Sequence, residues 1–116
     1  MRDDGQACAV AGAGIVGSVR FRLTAAPTAG QLVLNDGKMW GFEATVLTSL
    51  VTNGSTAAFS GTGELDGEPG YRFEASVEDN RSLGVPDRLR VVVRSSGGAV
   101  VRVVDGEVSR GQIVVN

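Results

Sequence analysis

The chain has 116 residues, 42% of them apolar and 21% charged, and carries a net charge of −2. That is enough to bury one core and too little for two independent ones. With no histidine and a single cysteine, Cys8, the chain cannot form Ser-His or Cys-His pairs, histidine-ligated metal sites or an internal disulfide.

Residues 1–5, Met-Arg-Asp-Asp-Gly, contain no apolar run of the kind a signal peptide needs, and no stretch reaches the roughly 18 apolar residues that a membrane-spanning helix requires. Two locations are compatible with this: the cytoplasm for a full-length chain, or the extracellular space or cell surface for a domain taken from a longer exported one. Cys8 stands in the small-residue run Ala7-Cys8-Ala9-Val10 and reads as a buried structural thiol. A glycine-rich segment, Ala11-Gly12-Ala13-Gly14-Ile15, leads to the first predicted strand over 19–24, where Val19, Phe21 and Leu23 alternate with Arg20, Arg22 and Thr24. Period-two alternation is the mark of a strand with one face in a core.

Further strands are predicted over 31–34 and 40–48, with Leu32, Leu34, Trp40, Phe42, Ala44 and Val46 inward, and over 56–65, with Phe59 and Leu65 inward. Asn35-Asp36-Gly37 and Asn53-Gly54 suit hairpin turns, because Asn and Gly tolerate positive φ. Asp66-Gly67-Glu68-Pro69-Gly70 reads as a longer reversal. The cleanest alternation follows at 71–78, with Tyr71, Phe73, Ala75 and Val77 inward, and it recurs at 89–94 with Leu89, Val91 and Val93 inward. Two last strands are predicted over 99–104, with Val101 and Val103 inward, and 112–115, with Ile113 and Val115 inward; Ser95-Ser96-Gly97-Gly98 and Asp105-Gly106 supply the turns. Helical spacing is absent. Short strands between regular turn signals define an all-β fold, an antiparallel sandwich or barrel of about eight strands, as one domain over residues 1–116.

The landmarks Ala58-Phe59-Ser60-Gly61-Thr62-Gly63-Glu64-Leu65-Asp66-Gly67, Tyr71-Arg72-Phe73, Val77-Glu78-Asp79-Asn80, Pro86-Asp87-Arg88 and the closing Arg110-Gly111-Gln112-Ile113-Val114-Val115 follow one another in an order that resembles the post-COAP-type module of secreted bacterial multidomain proteins. The likeness spans nearly the whole chain and departs in the short N-terminal region and in residues 81–85. It implies a β module, an exported setting and an accessory, non-catalytic role beside other domains. It implies no shared ligand.

Candidate chemistry is sparse. Glu78, Asp79, Asn80 and Asp87 could gather three or four oxygen ligands, as calcium requires; alternatively Asp79, Asn80 and Asp87 cap strand ends through hydrogen bonds to backbone. No other cofactor is implied. Trp40 and Tyr71 could form an aromatic platform for a sugar, or simply belong to the core with which each is in register. Gly61 and Gly63 mark either a close ligand approach or positions crossed by bulky side chains such as Trp40 or Tyr71, or a bulge. Lys38 could form an isopeptide bond with Asn80 or Asn116 beside Glu43 or Glu74, or stand solvated in its turn. The carboxylate pairs Glu64 with Asp66 and Glu74 with Glu78 read as solvated and opposed by arginines of neighbouring strands, so no enzyme is expected. Ten of the eleven basic residues are arginine, spread at alternating strand positions without a basic stripe, which argues against nucleic acid as a partner. Expected partners are neighbouring domains or a protein surface. The strand at 112–115 could also pair with a second copy, giving a homo-oligomer.

Overall fold

The computed structural model describes residues 9–26, 29–37 and 39–115. Nine strands make one antiparallel sheet: β1 (Val10–Val16), β2 (Val19–Ala26), β3 (Ala29–Asp36), β4 (Trp40–Asn53), β5 (Thr56–Leu65), β6 (Glu68–Glu78), β7 (Arg88–Arg94), β8 (Val100–Glu107) and β9 (Arg110–Val115). Their order across the sheet is β8-β7-β6-β5-β4-β3-β2-β1-β9. Strands adjacent in sequence are therefore adjacent in space as far as β8, after which β9 crosses to the opposite edge and pairs with β1. The sheet curls into a half-barrel, the all-β architecture expected from the alternation. Among the described residues one 3-10 turn, Arg81–Leu83, is the only helical piece, and no helix is long and apolar enough to cross a membrane. Cys8, Lys38 and Asn116 lie outside the described residues.

The curl is closed on itself by its side chains. Phe42, Phe59 and Phe73 are 2%, 2% and 1% exposed, so each ring has left water almost completely. Phe73 sits between the other two, edge-on to Phe42 at 5.7 Å and to Phe59 at 6.0 Å between centroids. Around them the inward residues of β2, β3, β7 and β9, among them Leu23, Leu34, Val91, Val93 and Ile113, are wholly buried. Both segments with the cleanest period of two, in β6 and β7, put their odd-numbered side chains inside as predicted. Val92 is buried as well, on the outer face between Glu74 and Val103 of the flanking strands.

Where the predicted core and the structure differ, a change of strand parity is the cause. In β4 the pairing with β5 slips between Ala44 and Val46 and again between Leu47 and Ser49. An extra residue in one strand turns everything after it to the other face. Val46 is accordingly exposed, while Leu47 and Leu50 pack against the core in its place, and Ala44 is only half-buried. In β8 the register slips opposite Val93 and Arg94, so Val104 faces inward, Val103 is exposed and Val101 is half-buried. Trp40, at the start of β4, and Tyr71, three residues into β6, are likewise half-buried.

Two turn assignments also change. The reversal after β5 is tighter than predicted: Asp66 (φ 53°) and Gly67 (φ 83°) turn the chain alone, and Glu68, Pro69 and Gly70 already belong to β6. Two successive positive φ values match the twist of a two-residue hairpin. Asp66 holds the turn to β4, its carboxylate accepting from Gly41 N and its own N–H donating to Gly41 O, both at 2.8 Å. Asp105 and Gly106 lie inside β8, and the corner into β9 falls at Val108 and Ser109, whose amides donate to Asp87 O and Ile15 O.

β1 was not among the predicted strands, because Ala-Gly-Ala-Gly has neither alternation nor bulk. Its glycines are set by β9: a Cβ on Gly14 would run into the Arg110 carbonyl and come within 2.8 Å of Val108 Cγ1. The pair Gly61 and Gly63 in β5 has a similar reason, with other neighbours than predicted. Phe73 and Phe42, not Trp40 or Tyr71, cross these positions, and the bulged β4 backbone presses close behind them. A Cβ on Gly61 would collide with Val46 O and approach Phe73 Cε1 at 3.0 Å. Gly61→Ala should therefore force β4 and β5 apart and cost about 3 kcal/mol, the upper end for overpacking. Urea unfolding would measure this, and Gly54→Ala, in a turn with open space around it, separates backbone strain from collision.

Candidate functional site

The four residues singled out as calcium ligands sit where β6 ends and β7 begins, and three of them are buried: Asp79, Asn80 and Asp87 are 6%, 8% and 6% exposed. The two aspartates accept from backbone amides. Asp87 Oδ1 accepts from Asn80 N at 2.7 Å, and Oδ2 accepts from Ile113 N in β9 at 2.6 Å. Asp79 Oδ2 accepts from Val115 N, also in β9, at 3.0 Å. Asn80 Nδ2 donates to Pro86 O at 2.9 Å and reaches the exposed Glu78 at 3.4 Å. The main chain joins in, Asp79 N donating to Ser55 O and Asp87 O accepting from Val108 N.

This arrangement answers a backbone problem. β9 pairs with β1 along one edge only, and strand amides turned into a protein interior need acceptors. Two aspartates from the β6–β7 loop supply them, standing in for a tenth strand. The strand at 112–115 is thus not a free edge at Ile113 or Val115. The capping reading of Asp79 and Asp87 describes what the side chains do, though the strand capped is the distant β9. Among the described residues no three acids, cysteines or histidines form a group able to hold a metal ion.

The aromatic pair lies at the other end of the curl, Trp40 at the start of β4 and Tyr71 in the first half of β6, with β5 between these strands. Trp40 meets Arg102 of β8, whose guanidinium carbon stands 5.4 Å from the ring centroid. Three strands separate β8 from β4 in the sheet, so this cation–π contact spans the open concave side. Arg102 pairs with the buried Val93 and therefore projects from the inner face, over the core end that Trp40 covers. One face of the only tryptophan is thereby taken. Tyr71 stands opposite Gly63, half-buried against the core.

The charged side chains divide the outer surface in two. On β6, β7 and β8 the arginines have partners: Arg90 meets Asp105 at 2.8 Å, Arg88 lies between Asp105 and Glu107 at 3.7 and 3.9 Å, and Arg94 meets Glu74 at 3.4 Å. On β2 and β9, by contrast, Arg20, Arg22 and Arg110 are exposed and form no ion pair or hydrogen bond with any described residue. Pairing places Ile15 of β1 opposite both Arg20 and Arg110, and Ala13 opposite Arg22. The three arginines rim a shallow depression of about 460 Å³ that also includes Gln31, Val33 and Asn35. The alternation of Arg20 and Arg22 signalled a shared face. That Arg110 joins them depends on β9 crossing to β1, which no local pattern announces.

No family model, curated protein or solved structure matches this chain.

Proposed function

We propose that the domain is a non-catalytic structural or adhesion-type accessory module of an exported bacterial protein, working through its strand faces and not through a cleft. The observation that carries this reading is the use made of Asp79, Asn80 and Asp87. Among the described residues the one convergent cluster of buried polar side chains is hydrogen-bonded mainly to backbone, its two aspartates to that of β9, so its chemistry serves the fold. The order of landmarks shared with the post-COAP-type module supports the exported, accessory setting. Inside the curl, the space a substrate would need is filled by Phe42, Phe59 and Phe73.

Two measurements test this. In calorimetry, millimolar calcium and a chelator should give melting temperatures within about a degree of each other, because a ligand of the native state raises stability by mass action. A calcium-dependent rise of several degrees, lost in Asp87→Asn, would favour a calcium-binding module instead. In an activity screen with ester, glycoside, phosphoester and peptide reporters, the domain should give the buffer rate. Turnover that vanishes in Glu43→Gln or Glu64→Gln, the acids that face one another across β4 and β5, would overturn the non-catalytic reading.

A further inference from the structure

We infer that the outer face of β9, β1 and β2 is a docking surface for an extended acidic polypeptide segment, bound by Arg20, Arg22 and Arg110. This rests on reading the domain as a binding module. The first support is charge. Each arginine of β6, β7 and β8 has an acid, a carbonyl or a ring within reach, whereas these three have none among the described residues. A guanidinium left without a carboxylate in a protein with more acids than bases is open to one from outside.

The second support is spacing. Arg20 and Arg22 are two residues apart on one strand and project from the same face, so their Cα atoms are about 6.7 Å apart, the repeat of alternate residues in any extended chain. Carboxylates at alternate positions of a strand-like peptide match that repeat. Arg110 lies two strands over from Arg20, about 10 Å away, with Ile15 between them. It would meet a third acid or the peptide's flank. Between the arginines the floor is Ala13 and Ile15, small and apolar, with Val33 beyond. That floor suits the aliphatic stems and backbone of a peptide. Phe21, the one aromatic residue along the depression, is 2% exposed with its ring in the core, so no ring is offered for a base or a sugar to stack on, which favours a polypeptide over a nucleic acid.

The test uses the whole chain and two synthetic peptides of identical composition. One alternates Glu with Thr over eight residues, and the other places its four Glu in one block and its four Thr in another. The alternating peptide should bind more tightly in fluorescence anisotropy at low salt, by fivefold or more. Arg20→Gln with Arg22→Gln should weaken it at least tenfold, Arg110→Gln by about threefold, and Arg94→Gln, at the far end of β7 with Glu74 as its partner, should leave it unchanged. Circular dichroism melts of each variant confirm folding. Equal affinity for the two peptides, tighter binding to a heparin oligosaccharide or single-stranded DNA, or unchanged affinity in the folded double variant would each overturn the inference. Failure here is distinguishable from failure of the module reading, which would appear as reporter turnover in the wild-type protein.

Discussion

Replacing Asp87 with alanine should destabilise the domain by about 3 kcal/mol and free its last strand. The carboxylate accepts two backbone amides, Asn80 N and Ile113 N, and the residue is 6% exposed, so neither amide gains water when the acceptor goes. A buried donor left unsatisfied costs roughly 1–3 kcal/mol. Two such donors would give roughly 2–6 kcal/mol, and alanine also removes a buried charge, whose relief offsets part of the loss. Asp87→Asn is the informative companion. It keeps one oxygen and turns an amide nitrogen toward a backbone N–H, so one bond survives and the other becomes a clash of donors. It should fall between wild type and Asp87→Ala in urea unfolding. Amide hydrogen exchange supplies the local readout: Ile113 and Val115 should exchange faster in Asp87→Ala, well before amides such as Val91 in β7, a strand paired on both sides. If Ile113 keeps its protection in a folded Asp87→Ala protein, the aspartate does not hold β9.

The second large effect should come from Phe73→Ala, at about 4 kcal/mol. Removing a buried phenylalanine side chain costs roughly 3–5 kcal/mol through lost transfer free energy and the cavity left behind. Phe73 is 1% exposed and contributes to both edge-on aromatic contacts, and its ring lies over the Cβ-less Gly61. The backbone of β4, already bulged against Gly61 and Gly63, cannot collapse readily into the vacated space. Phe73→Leu, which retains most of the volume, should cost about 1–2 kcal/mol. Denaturant midpoints with unchanged slopes would establish that stability alone has moved. A loss below about 1 kcal/mol for Phe73→Ala would mean that the three rings do not form the centre of the core.

The sequence shows the architecture best where one strand's pattern suffices. Tyr71 to Val77 and Leu89 to Val93 are regular because β6 and β7 are paired on both sides, and Phe73 and Val91 are inside as their parity requires. Parity fails where the partner strand decides. Val46 and Val103 point outward because bulges in β4 and β8 re-phase those strands, and a bulge is a property of a pair. β1 is invisible as a pattern because its glycines are selected by the closeness of β9. The same limit applies to the sites. The residues from Glu78 to Asp87 stand out by composition, yet their acceptors serve Ile113 and Val115, near the other end of the chain from β1 and out of reach of any local motif. The arginine face depends on the same crossing.

That crossing sets how the domain would respond to a pull. Val10 of β1 pairs with Val115 of β9, so the chain enters and leaves at neighbouring points of one antiparallel ladder. Tension applied between those two residues would act across the ladder and not along it. The hydrogen bonds would then be loaded one after another, as in a zipper opened from its end, and the outermost to resist would include Val115 N on Asp79. A sheet tethered in this way is opened one hydrogen bond at a time and not by shearing all of them together.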